Sequence, residues 1–290
     1  MHLYGGFYFN AYLQATTGKS NICKWYYNIL PKVRGLNTKL LDFYQCMIIS
    51  DFEVVCITES WLSSSVANSE VASVTRNVYR ADRRTKKRGG GVLIAILASI
   101  PQEVIDLICV NNISTEIDTV GIKIYINNSP LVIIVVYIPP NVPQSLLLEY
   151  LDVLTLQLVN YDKVIILGDF NVPEFIDSRN GNNKLRALHN CFKTLNMLQI
   201  NNVLNEQSRI LDLVAANSSL TVTATLDNAP ILNIDRLHPP LNIFVQFKNV
   251  KQVNFLSRDS GVSFDYRRAD FPALYDAFIR SNWSFTRKYY

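Results

Sequence analysis

The sequence predicts a layered α/β architecture, and three observations carry that prediction. Eight short runs dominated by β-branched residues recur along the chain, most of them bounded by Gly, Pro, Asn or charged residues, as strands require. Two of them, residues 53–58 (EVVCIT) and 163–167 (KVIIL), are nearly continuous in apolar character, the pattern of strands covered on both faces. Helical spacing fills the intervals, and strands mixed with a few helices pack as layers. The 290 residues are 49% hydrophobic and 18% charged, too apolar for disorder and sufficient for a sizeable core.

The elements follow in order. Residues 36–49 (LNTKLLDFYQCMII) set Leu40, Leu41, Phe43, Tyr44 and Met47 on one helical face. Strands are expected at 53–58, 91–95 (GVLIA), 120–125 (VGIKIY) and 131–137 (LVIIVVY). After the Pro139–Pro140 break, a helix over 143–159 starts near Gln144 and Ser145. Strand 163–167 precedes a helix over 183–198, which opens on an Asn cap. Strands at 211–215 (LDLVA), 220–225 (LTVTAT) and 241–247 (LNIFVQF) complete the set. Residues 1–27 lack a strong pattern and read as an extension of the 28–248 domain. Residues 249–290 read as an appended tail, with an amphipathic helix over 269–280 followed by a Trp.

Several function classes drop out early. The longest apolar runs are about nine residues against the roughly 20 needed to span a bilayer, so neither membrane nor lipid anchor is expected. The opening MHLYGGFYFNAYLQ has no basic segment ahead of an apolar stretch, so secretion is not expected. Five scattered cysteines (Cys23, Cys46, Cys56, Cys109, Cys191) form no CxxC pair, which disfavours zinc and a disulfide framework and suits a reducing intracellular setting. Charge is unevenly placed. Residues 76–88 hold seven basic side chains and one acid, a net +6 where the whole chain carries +4. Such a concentration suits a polyanionic partner, and it equally suits a solvated loop.

Four polar clusters sit at the ends of expected strands. Glu59, in TESW after EVVCI, brings a carboxylate out of a buried strand, where oxygen ligands could hold a hard cation. In GDFN after KVIIL, Gly168 permits a tight turn, while Asp169 and Asn171 lie two apart and share a face. Charge from one and a neutral donor and acceptor from the other suit a phosphate and an attacking water. The alternative is an Asx-rich turn. Asp212 interrupts the apolar strand LDLVA, a costly burial unless it is paired. His238, in the HPPL segment, is a partner of the right kind, since an Asp–His dyad orients and charges the imidazole for proton transfer.

Taken together these residues resemble the endonuclease/exonuclease/phosphatase superfamily, and more narrowly the apurinic-endonuclease-like domain of non-LTR retrotransposons. The matching pieces run in the family's order over about residues 29–247: VRGL with Thr38-Lys39-Leu40, ITESWL, YRADRR followed by Gly89-Gly90-Gly91, VYIPP, ILGDFN, RILDLV and HPPL. The resemblance implies a four-layer sandwich of two mainly antiparallel β-sheets flanked by helices, hydrolysing phosphodiesters with Mg²⁺ (or Mn²⁺) and acting on DNA. It implies Glu59 as metal ligand, Asp169 and Asn171 positioning water and scissile phosphate, and Tyr137 hydrogen-bonding that phosphate. His238, oriented by Asp212, would stabilise or protonate the transition state, and Arg80, Arg83 and Arg84 would contact the nucleic-acid backbone. The tail resembles the segment preceding a reverse transcriptase, which implies a former fusion and a nuclear site of action.

Two positions depart from the family pattern. Lys32 stands where the family has an Asn before the VRGL turn, and Leu237 where it has an acid before the His, with Asp235 three residues before His238. The leading expectation is a target-nicking endonuclease attenuated by these changes. The alternatives are an inactive nucleic-acid-binding relic and, less favoured, a superfamily phosphatase.

Overall fold

In the computed structural model of the chain, the described residues are 24–30, 35–85, 89–126, 128–172, 183–228, 230, 236–246 and 270–280. In order they form β1 (Lys24–Leu30), a 3-10 turn (Leu36–Lys39), α1 (Leu40–Ile49), β2 (Val54–Thr58), α2 (Asn68–Val71), β3 (Arg76–Ala81) and β4 (Val92–Leu97). Next come β5 (Gln102–Val104), α3 (Ile108–Ile113), β6 (Asp118–Ile126), β7 (Ser129–Tyr137), α4 (Gln144–Leu158) and β8 (Val164–Asp169). The series closes with α5 (Asn183–Thr194), β9 (Met197–Gln199), β10 (Asp212–Asn217), β11 (Thr221–Leu226), β12 (Leu241–Gln246) and α6 (Phe271–Arg280). The contacts divide the chain into units 1–248 and 249–290.

The strands of the first unit form two six-stranded sheets, ordered β11-β12-β1-β2-β4-β3 and β5-β6-β7-β8-β10-β9. Each contains a single parallel pair, β1 with β2 and β7 with β8, and is otherwise antiparallel. Alternation along β2 explains the layering. Val54 and Cys56 point into the space between the sheets, whereas Val55 and Ile57 point outward onto Phe43 and Met47 of α1. On the far side, Val132, Ile134 and Val136 of β7 meet Leu147, Tyr150 and Leu151 of α4 and Leu188 and Phe192 of α5. Helices, sheet, sheet, helices: the four-layer sandwich expected from the sequence is the observed fold. Strands buried on both faces have no solvent side to favour polar residues, which is why EVVCIT and KVIIL do not alternate.

The departures lie at edges and termini. β1 pairs with β12 on one side and β2 on the other, so its place comes from partners distant in sequence, and most of it falls in the stretch that reads as patternless. β3, β5 and β9 are edge strands, two of them only three residues long, too short for a periodic signal. The 36–49 helix begins as a 3-10 turn, and its buried stripe is Leu36, Phe43 and Met47. Leu41, expected on that face, is 70% exposed, because the 36–40–43–47 stripe leaves position 41 about 100° round the helix. The 183–198 helix stops at Thr194. Asn196 takes a left-handed φ of 51°, donating its N–H to the Lys193 carbonyl, and the chain turns into β9.

In the second unit, Asp270 caps α6 by accepting the Ala273 N–H at 3.1 Å, and Asp276 pairs with Arg280 one turn on. Among the described residues no helix is long and apolar enough to cross a membrane.

Candidate active site

Register builds the site. Asp118 of β6 lies opposite Tyr137 of β7, Tyr137 opposite Asp169 of β8, and Asp169 opposite Asp212 of β10. Directly opposed residues share a face of a sheet. Counting by twos from Ile122, Val135, Leu167 and Val214, all of the inter-sheet core, that face is the inner one. One tyrosine and three carboxylates therefore run as a single row across four neighbouring strands, at one end of the layer between the sheets. Asp118, Asp169 and Asp212 are all buried.

Gly168 makes the row possible. Its φ is +144°, and a Cβ there would stand 1.8 Å from the Val136 carbonyl oxygen on the parallel neighbour β7. The chain then turns sharply. Asn171 adopts a left-handed φ of 50°, tolerated by Asn, donates its backbone N–H to Asp169 Oδ1 at 3.1 Å, and gives its Nδ2 hydrogen to the Ile138 carbonyl at 2.9 Å. The GDFN turn is thus clamped to the VYIPP loop.

His238, 2% exposed, places Nδ1 2.9 Å from Asp212 Oδ2 and Nε2 3.9 Å from Asp169 Oδ2. An ionised carboxylate can only accept, so it is Nδ1 that carries the hydrogen toward Asp212, and Nε2 faces Asp169. Two buried asparagines of one loop steady this dyad. Asn201 donates from Nδ2 to the Asp212 carbonyl at 2.7 Å, and Asn205 donates from Nδ2 to the carbonyl of Leu237, the residue before His238, at 3.0 Å.

Glu59 arrives from the other sheet. It follows β2 in a left-handed turn (φ 56°) and is 4% exposed. Trp61 Nε1 donates to Glu59 Oε2 at 2.8 Å, and the Tyr137 hydroxyl donates to the Glu59 carboxylate. Burial, then that hydrogen bond and the nearby charges of Glu59 and Asp169, push the Tyr137 hydroxyl far above its ordinary range, so it remains a donor. A glycine strap holds the turn: Ser60 N–H donates to the Gly91 carbonyl at 3.1 Å and Trp61 N–H to that of Gly90 at 2.9 Å. Glu59, Tyr137, Asp169, Asn171, Asp212 and His238 are linked through these contacts into one group.

The described arginines of the basic segment have protein partners. Arg83 meets Asp118 Oδ2 through Nε at 2.9 Å and a terminal nitrogen at 2.8 Å, with its guanidinium carbon 5.3 Å from the centre of the Tyr137 ring. Arg80 donates to the Ser63 and Val66 carbonyls, and Arg84 to those of Asn111 and Ser114. Arg76 is buried and donates to the carbonyls of Met47 and Ser50. Lys86, Lys87 and Arg88 lie outside the described residues, as do Lys32 and Asp235.

Asp118, Asn201 and Asn205 escape the sequence reading. Asp118 carries the same cue as Glu59, an acid at the end of an apolar strand, but nothing local distinguishes it. The two asparagines act through backbone carbonyls, which no side-chain motif can encode.

Asp169, Asp212 and His238 each offer one ligand atom, all within 4.8 Å of one another. Hard carboxylate oxygens and an imidazole, with the Glu59 carboxylate joined to the group through Tyr137, suit a divalent cation. Comparison with known proteins agrees. The model of the endonuclease/exonuclease/phosphatase family matches residues 9–263.

The chain belongs to the endonuclease/exonuclease/phosphatase family.

Members of this family are hydrolases acting on phosphodiester bonds, and its nucleases generally use divalent metals. Several solved structures share the family's fold with this chain. The endonuclease domain of TRAS1, a telomere-specific non-LTR retrotransposon, superimposes with a TM-score of 0.56 at 11% identity, over 77% of this chain and 98% of that one. An AP endonuclease from Archaeoglobus fulgidus gives 0.54 at 16% identity, over 77% and 100%. TDP2 of D. rerio, complexed with a single-strand DNA product, gives 0.52 at 12% identity, over 78% and 100%. At such identities the likeness is one of fold. No curated protein matches the sequence.

Proposed function

We propose that the chain is a metal-dependent DNA endonuclease of the non-LTR retrotransposon type, nicking target DNA. The observation that carries the reading is the single group formed by Glu59, Tyr137, Asp169, Asn171, Asp212 and His238, drawn from both sheets and 180 positions of sequence. Each residue suits one task. Glu59 would hold Mg²⁺ or Mn²⁺, which supplies charge neutralisation for the phosphate when bound. Asp169 accepts a proton from water at Oδ2, the oxygen turned toward His238. Asn171 orients the phosphate beside it. Tyr137, kept protonated, would turn its one hydrogen from Glu59 to a phosphate oxygen when substrate is bound. The His238 imidazole, its Nδ1–H held by Asp212, would act as the imidazolium, donating from Nε2–H to the developing negative charge. Arg80 and Arg84, with Lys86 and Lys87 of the same sequence segment, would serve the DNA backbone, while Arg83, held by Asp118, would contribute its charge beside Tyr137.

Leu237 supports attenuation. It offers no carboxylate beside His238, and its carbonyl is taken by Asn205. Lys32 adds an ammonium where the family has a neutral amide. With both groups changed, weak metal binding and slow nicking follow for the endonuclease, and a domain that binds DNA without cutting is the second reading. A supercoiled-plasmid assay with Mg²⁺, with Mn²⁺ and with EDTA decides between them. Metal-dependent nicking that rises in the Lys32→Asn/Leu237→Asp double variant supports an attenuated endonuclease. Salt-sensitive DNA retention with no nicking in either protein supports the binding relic.

A further inference from the structure

We propose that Asp118 is a positioning residue that ties the two sheets together at the site, holding Arg83 against Tyr137 and the glycine strap against the Glu59 turn. Its Oδ2 accepts hydrogen bonds from Arg83 Nε at 2.9 Å and from the Gly91 backbone N–H at 2.8 Å, and a terminal Arg83 nitrogen completes the ion pair at 2.8 Å. Arg83 and Gly91 flank the link between β3 and β4 of one sheet, whereas Asp118 opens β6 of the other. Each donor has its own consequence for the site. Through Arg83, whose side chain is 8% exposed and lies 5.3 Å from the Tyr137 ring centre, the carboxylate places a cation beside the tyrosine that touches Glu59. Through Gly91, it fixes the segment whose carbonyls hold Ser60 and Trp61, and with them the left-handed turn that aims Glu59.

Stability alone is a poor explanation for this arrangement. Burial is the largest influence on Asp118 and raises its pKa despite Gly91 and Arg83, so the ionised carboxylate is held at a cost. Packing around Arg83 is also specific. A Cβ on Gly90 would fall 2.1 Å from an Arg83 nitrogen, so a glycine with φ 83° makes room for the guanidinium. The positive charge is delivered from one sheet and anchored by the other.

The inference rests on the nuclease reading for its kinetic arm only. Asp118→Asn keeps an oxygen for the Gly91 N–H but loses the charge that holds Arg83. Asp118→Ala loses both. Each is compared with the full-length parent for kcat, for the metal concentration at half-activation, and for Trp61 emission without metal in a Trp25→Phe/Trp283→Phe background. Asp118→Asn should lower kcat about tenfold, the low end of what losing a partner behind a functional side chain costs, with half-activation within about twofold and emission unchanged. Asp118→Ala should lower kcat further, raise half-activation about tenfold and shift Trp61 emission to the red, because a misplacement near 1 Å suffices for such losses. Arg83→Lys should resemble Asp118→Asn. If folded Asp118→Ala keeps the parent's kcat, metal demand and emission, or differs from the parent only in Tm, the proposal is overturned. If the parent itself does not nick, the nuclease reading fails, and the metal-free emission of Asp118→Ala against Asp118→Asn decides the strap by itself.

Discussion

Replacing Gly168 with alanine puts a methyl group where β7 already is. The added Cβ would stand 1.8 Å from the Val136 carbonyl oxygen and 2.8 Å from its carbon, at a backbone φ of +144°. Real Cβ contacts essentially never fall below 3.0 Å, so β8 must retreat from β7 by more than an ångström. Overpacking of this kind costs about 1–3 kcal/mol, and a sparsely populated φ adds about 1–3 kcal/mol. A total of about 2–6 kcal/mol corresponds to roughly 4–24 °C in Tm for a domain of this size. The displaced residue is next to Asp169, which stands between Tyr137 and Asp212 in the inner row, so nicking should fall about 100-fold or more. Gly121→Ala is the control. Its Cβ would approach the Ile134 Cδ1 at 2.6 Å, but that atom is the end of a side chain that can swing away. Urea unfolding followed by circular dichroism compares the two. Equal midpoints for Gly168→Ala and Gly121→Ala would refute the claim that the close approach of β8 to β7 builds the row.

Other outcomes follow from the same geometry. Asp212→Asn should leave the fold intact but lower nicking about 1,000-fold, since the amide no longer enforces the Nδ1–H tautomer of His238; single-turnover rates check it. Arg76→Met should cost about 2–4 kcal/mol by stranding the Met47 and Ser50 carbonyls, with no change in the salt dependence of DNA binding. Neutralising Lys86 and Lys87 should flatten that salt slope by about one unit for every phosphate the protein ceases to neutralise, measured by fluorescence anisotropy. Cys191 is pushed up to about 11 by burial, leaving roughly one thiol in a thousand ionised at pH 8, and Cys56 is raised further still. Iodoacetamide at pH 8 should therefore label exposed Cys109 in the native protein and spare Cys56 and Cys191, read by peptide mass spectrometry.

Much of this protein was legible in the chain itself, for a reason that varies by element. Strands such as β2, β7 and β8 are buried on both faces, so their apolar runs announce them without any partner being known. Glu59, Asp169 and Asp212 stand out because a carboxylate at the end of such a run is costly unless it has work to do. What the chain could not reveal is whatever depends on pairing across long separations. β1 is a strand because β12 and β2 flank it, and β3 is a strand despite its two arginines because β4 supplies the ladder. Motif order brought six residues together on paper, but only the register aligned Asp118, Tyr137, Asp169 and Asp212 in one row. The same holds for the basic segment. Its composition suits a polyanionic partner and a solvated loop alike, and in the structure Arg76, Arg80, Arg83 and Arg84 are tied to carbonyls and to Asp118. Composition counts charges. Only the tertiary structure says which of them have partners, because a guanidinium reaches its acceptors through space and not along the chain.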